Sequence, residues 1–217
     1  VSTDEPPKKV CVYIDGFNLY HAVAEMNDPR LKWLNFRSLA ESFLKPKEIL
    51  EDVYFFTAVL TWDREKQKRH RNFMAAQEAV GVTIVESNFR KTPKFCHVMN
   101  QHCKRFEEKQ TDVAIATTLM ADAIRRRVNR AILVTADSDQ VPLVKWLHQL
   151  FPEIHVTLSA PPGRGQMARE LGNVVDDRVP LKPGRLYAHQ LPRTVLKNGA
   201  TVARMPALYQ QQIDGGA

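Results

Sequence analysis

The sequence predicts an α/β chain built on a mainly parallel sheet, and two observations predict it. Short apolar runs rich in β-branched and aromatic residues recur along the chain, separated by stretches of helical length and period. The first run is apolar almost throughout rather than alternating, as expected of a strand covered on both faces. Strands that alternate with helices make βαβ units and a parallel sheet. The chain has 217 residues, 44% of them hydrophobic, which suits one domain with a sizeable core and a short appendage.

Val10–Ile14 (VCVYI) reads as the first strand, and DGFN at its C-terminal end leads into a short helix reaching about Met26. Residues 35–44 (NFRSLAESFL) carry apolar side chains at helical spacing. Val53–Leu60 (VYFFTAVL) is the second strand. Asp63 is placed to cap a long polar helix that runs to about Val80 and stops at Gly81. VTIVESNF is the third strand, and residues 91–105 read as irregular. Residues 111–126 form a helix with Val113, Ala116, Met120 and Ile124 near one face. AILVTA is the fourth strand, followed by a helix whose Pro142 fits only in its first turn. Residues 154–160 are the fifth strand; PPGRGQ, a short helix and NVVDD follow. From about Lys182 the pattern fades into a proline-containing tail. The expected division is a domain over 1–181 and a tail over 182–217 that packs on the domain or extends from it.

In parallel sheets, sites form beyond the carboxyl ends of the strands. That rule selects Asp15 after strand one, Asp137 and Asp139 after strand four (TADSD, 135–139), and Asp112 at the start of a helix. Each has an ordinary reading. Asp15 before Gly16 makes a turn, Asp112 favours the helix dipole, and Ser138 or Asp139 caps the next helix. Gathered at one sheet edge, the carboxylates repel one another unless a cation neutralises them, and all-oxygen ligation favours Mg²⁺ or Mn²⁺. Such a site fits phosphodiester hydrolysis. Asn18 joins it as a holder of a metal-bound water or an aspartate, or else caps its helix.

The net charge of +7 favours an anionic partner, nucleic acid first. Arg64, Lys66, Lys68, Arg69 and Arg71 crowd one helix, Arg90, Lys91 and Lys94 follow strand three, and Arg125, Arg126, Arg127 and Arg130 end another helix. Arg69, Arg71, Arg90, Lys91 and Arg164 are candidates to touch phosphate; solvated charge and helix-dipole pairing are the alternatives. PPGRG lacks the phosphate-loop pattern, and DGFN puts an acid where a dinucleotide fingerprint needs glycine. No apolar run reaches the roughly 18–20 residues of a membrane span, and VSTDEPPKK shows no signal-peptide core. Three cysteines give no disulfide framework, which points to the reducing cytosol. Cys11 lies inside strand one as a small hydrophobe.

VYIDGFNLYHAV, FEEKQTDVAIATTLMADAI, ILVTADSDQVPLVKWLHQLFP and SAPPGR together resemble the NYN domains of the LabA/DUF88 type, within the PIN-like ribonuclease superfamily. The resemblance covers nearly the whole chain. It implies a PIN-like, Rossmann-like three-layer α/β/α sandwich and a Mg²⁺- or Mn²⁺-dependent endoribonuclease. By motif position, Asp15, Asp112 and Asp137 match the family's acidic metal ligands, Asp139 a further acidic position and Asn18 the asparagine of D-G-x-N. Ala136 stands where the family usually has glycine, which tests whether that position needs a positive φ or close packing.

FCHVMNQHC (95–103) brings Cys96, His97, His102 and Cys103 into one connection. The residue types suit Zn²⁺, whereas the spacing is not that of a C-x₂-C knuckle; Cys96, His102 and Cys103 are the candidate ligands. Three functions remain in view at this stage. The first is an endoribonuclease acting on single-stranded or structured RNA, with DNA left open. The second is an RNA-binding or regulatory module that keeps the acidic pocket. The third is a phosphatase-like hydrolase, disfavoured because it wants D-x-D at strand one.

Overall fold

The computed structural model describes residues 6–60, 62–96 and 101–210, with the side chains of 88–96 and 101–109 excepted. Its centre is a seven-stranded sheet in the order β4-β3-β2-β1-β5-β6-β7. The strands are β1 (Lys8–Asp15), β2 (Glu48–Ala58), β3 (Thr83–Cys96), β4 (Gln101–Lys109), β5 (Arg130–Val134), β6 (His155–Leu158) and β7 (Asp177–Arg178). All neighbours pair in parallel except β3 and β4, which are antiparallel. The α/β class and the mainly parallel sheet are therefore as the sequence indicates.

The alternation along β1 builds the three layers. Val10, Val12 and Ile14 face one core, packed with Leu19 and Val23 of α1 (Gly16–Glu25) and Phe36 and Leu39 of α2 (Phe36–Glu41). Met74 of α3 (Arg64–Ala79) closes that layer. Cys11 and Tyr13 face the other core, with Ile115 and Leu119 of α4 (Thr111–Ile124) and Val144 and Leu147 of α5 (Val141–Leu150). Burying an aliphatic or aromatic side chain of this size stabilises the fold by roughly 1.5–3 kcal/mol.

Two sequence expectations are corrected. The segment read as irregular is a hairpin: β3 runs on to Cys96 and pairs with β4 from Asn88↔Lys109 to Cys96↔Gln101. Its pattern hid it because beyond Ser87 the strand pairs with β4 alone and no longer with β2, and backbone left unpaired on one side tolerates Pro93. The face assigned to α4 is displaced: Ala116 and Met120 pack half-buried against the core, but the face is centred elsewhere. Val113 and Ile124 are 65% and 67% exposed, while Ile115, Leu119, Asp122 and Ala123 are buried. Buried Asp122 interrupts the apolar stripe. It accepts hydrogen bonds from the Tyr13 hydroxyl at 2.9 Å and the Tyr54 hydroxyl at 3.2 Å.

A short helix, α6 (Arg169–Gly172), precedes β7; beyond Lys182 the chain forms another, α7 (Pro183–Ala188), and then a hairpin of β8 (Thr194–Lys197) and β9 (Ala200–Arg204). The hairpin packs on α3: Leu191, Val195, Ala203 and Met205 enclose Trp33 and Ala76 in a third core cluster. The Trp33 indole donates to the Pro192 carbonyl at 2.9 Å, and Asn72 of α3 bonds both backbone groups of Arg204. No helix among the described residues is long and apolar enough to cross a membrane.

Candidate metal centre

The strand order reverses between β1 and β5, which lie side by side with their sequence neighbours on opposite flanks. A crevice opens at such a switch point, beyond the carboxyl ends of the strands. Asp15 ends β1 and caps α1, its Oδ1 accepting from the Asn18 amide at 3.0 Å. Its Oδ2 accepts from the Thr135 hydroxyl at 2.9 Å. Asp137 follows β5 and caps the 3-10 turn Ser138–Gln140, accepting from the Asp139 amide at 2.9 Å. Asp112 lies in the first turn of α4, where Gln140 Nε2 donates to its Oδ1 at 3.1 Å. One carboxylate oxygen from each of Asp15, Asp112 and Asp137 lies within 4.8 Å of the others. They line a cleft of about 210 Å³ with Phe17, Asn18, His21 and Gln110.

The cluster is electrostatically costly. Asp15 is 5% exposed. Burial, reinforced by the charges of Asp112 and Asp137, raises its pKa to about 6 against the hydrogen bonds from Asn18 and Thr135. Asp112 is raised as well, by burial first and then by Asp137 and Asp139. A divalent cation would relieve this repulsion. The donor set fits Mg²⁺ or Mn²⁺: every candidate ligand atom is a carboxylate oxygen, the hard donor these cations prefer.

The asparagine serves as a tether. Asn18 Oδ1 accepts from the Ala136 amide at 3.0 Å and so ties the start of α1 to the turn after β5. Capping falls to Asp15. Ala136 is 3% exposed and is not among the residues of positive φ, so its methyl group packs without backbone strain. Gly16 has the stricter demand, since a Cβ there would meet the Phe56 carbonyl at 2.5 Å. Asp139 is exposed and stands outside the three-oxygen cluster, close enough to raise Asp112.

The candidate cations disperse. Arg71 pairs with Glu86 at 3.0 Å and Arg164 with Glu25 at 2.5 Å. Arg130 is buried against Glu48 at 2.6 Å, and Arg127 faces Glu51, Asp52 and Asp122 near the opposite ends of the strands. Arg69 keeps its place on α3 and lines a separate apolar cavity. The side chains of Arg90, Lys91, Cys96, His102 and Cys103, and all of His97, lie outside the described residues, and the zinc expectation lies there with them. Sequence reasoning missed Thr135 and Gln140. Thr135 joins two aspartates, bonding Asp15 and accepting from the Asp137 amide at 3.1 Å. Its only signal was its position directly after the fourth strand.

A family model described as the NYN domain matches residues 9–182. Among curated proteins, the chain is 22% identical over 257 aligned positions to 6-hydroxy-3-succinoylpyridine 3-monooxygenase HspA of Pseudomonas putida, covering 97% of this chain and 80% of that protein. Among solved structures, a protein of unknown function from Vibrio parahaemolyticus superposes with a TM-score of 0.57 at 16% identity, over 88% of this chain and 100% of that one. That likeness speaks for the fold alone.

Proposed function

The chain belongs to the NYN domain family, and from that premise we propose that it is a metal-dependent endoribonuclease of the LabA/DUF88 type. The observation that carries the reading is the meeting of three carboxylate oxygens within 4.8 Å at the switch point of a parallel sheet. Asp15, Asp112 and Asp137 would hold Mg²⁺ or Mn²⁺, and the bound cation would supply an activated water and stabilise charge on the phosphate oxygens. Thr135 and Gln140 aim two of the carboxylates, and the Asn18 tether keeps the β1 and β5 ends at working distance. Asp139, beside the cluster, would orient the attacking water or hold a second cation. Basic side chains position the RNA backbone without reading its sequence. At 22% identity, the activity in the Pseudomonas relative's name is not carried to this chain.

The test is cleavage of a fluorescent single-stranded RNA by the purified protein in Mn²⁺ or EDTA, beside Asp137→Asn. The expected result is Mn²⁺-dependent endonucleolytic products, slowed at least about 100-fold by the substitution, the scale on which losing one charge-stabilising group acts. Cleavage unchanged in the variant would contradict the assignment. RNA binding in both proteins without cleavage would favour a binding module instead.

A further inference from the structure

A second cavity, of about 360 Å³, opens beside the acidic cleft. It lies between α1, the 3-10 turn Pro29–Lys32, α3 and the 3-10 turn Ala207–Tyr209. Phe17 lines both spaces, and Gly16, directly after Asp15, lines this one. The two therefore share a wall at the end of β1.

Three features set its chemistry. The walls are apolar, aromatic and aliphatic together: Phe17, Tyr20, Phe36, Phe55, Phe73 and Tyr209 line it beside leucines and Val23. The polar groups within it are few. Thr57 Oγ1 and His70 Nε2 bond each other at 2.9 Å, and burial lowers the His70 pKa, keeping the ring neutral. Lys32, Lys66 and Arg69 supply positive charge. Among the described residues neither Lys32 nor Arg69 forms an ion pair; Lys32 lies 5.7 Å from the Tyr20 ring centre, and Arg69 meets the Tyr209 hydroxyl. Half-exposed Tyr20 and Leu208 stand in its lining. The volume is within the range of small-molecule sites.

A planar ring and an attached anion satisfy these features together, and a nucleotide unit is that combination. We propose that the cavity is a nucleotide subsite: it takes one unstacked base of the RNA next to the cleavage point, while Lys32 and Arg69 hold a phosphate of the same strand. The inference rests on the nuclease reading and narrows it to substrates that can release a base, meaning single-stranded or looped RNA. Stacking on aromatic side chains serves any base, so the subsite selects strandedness rather than sequence.

The probes are adenosine 5′-monophosphate, uridine 5′-monophosphate and ribose 5-phosphate, titrated calorimetrically into the full chain in EDTA at low salt. Without metal the acidic cleft repels phosphate, which leaves the cavity as the binding place. Both nucleotides are expected to bind at least about tenfold tighter than ribose 5-phosphate, the scale of base–aromatic stacking. Tyr20→Ala should remove most of that difference. Lys32→Ala combined with Arg69→Ala should weaken all three probes; both side chains are half-buried, so unfolding in urea like the parent's is the accompanying check that the fold is kept. Equal affinity for nucleotide and sugar phosphate, or no binding of any probe, would overturn the subsite. RNA cleavage by a chain that binds none of them would remove the subsite and leave the nuclease. Nucleotide binding without cleavage would do the reverse.

Discussion

Asp15 shows how a single carboxylate carries both structure and chemistry. It caps α1 and anchors Thr135, yet its pKa stands near 6 because it is buried among acids. An unfolded chain gives up this proton near pH 3.8, the folded one only near 6. The ionised form therefore counts against the fold: the penalty is absent below pH 3.8, grows between the two values and is complete above pH 6. It amounts to something on the order of 2–3 kcal/mol. Asp15→Asn keeps the shape and one acceptor. In EDTA at pH 7.5 it should be more stable than the parent by about 2 kcal/mol in urea denaturation, with the advantage shrinking towards pH 4.5. A variant less stable at both pH values would mean that the lost hydrogen bonds outweigh the relieved charge. At this scale the sequence was legible where residue type implies chemistry. The three aspartates could be picked out, whereas Thr135 and Gln140 could not, because a threonine or glutamine declares no role until its partner is in place.

Elements explain which parts of the architecture could be read in advance. Strands covered on both faces, such as β1 and β5, announce themselves as apolar runs. The β3–β4 hairpin and the β8–β9 hairpin do not, since each has an unpaired or solvent side that frees its composition. The same reasoning explains α4, whose inward stripe contains Asp122 and whose outward face carries Val113 and Ile124. The site depends on how two such elements are joined. Asn18 on α1 accepts from the Ala136 amide beyond β5, and among the described residues no other side chain bonds that amide. Asn18→Ala should leave it unpaired and cost about 1–3 kcal/mol. It should also weaken Mn²⁺ binding, because Asp15 and Asp137 would lose their fixed spacing. Denaturation and metal titration of the same preparation check both; a variant that loses stability but binds Mn²⁺ like the parent would limit Asn18 to the fold.

Across the whole molecule, net charge was the least reliable guide. The +7 balance suggested a basic surface around the acids, but Arg71, Arg127, Arg130 and Arg164 are engaged with carboxylates of the chain itself. The cations that line the neighbouring cavity sit on different elements: Arg69 belongs to the basic run on α3, whereas Lys32 stands apart from any run in the sequence. The terminal segment matters for the same reason: its hairpin covers Trp33, and its last turn brings Leu208 and Tyr209 to the cavity. The central claim is that three aspartates distant in sequence form one cation site in the folded chain. Binding that requires the fold must stabilise it. Thermal unfolding at pH 7.5 with increasing Mn²⁺ measures this directly, on the parent and on Asp112→Asn. The expected result is a midpoint that climbs with Mn²⁺ in the parent and stays flat in the variant. A parent midpoint unmoved at millimolar Mn²⁺, or an equal rise in both proteins, would contradict it.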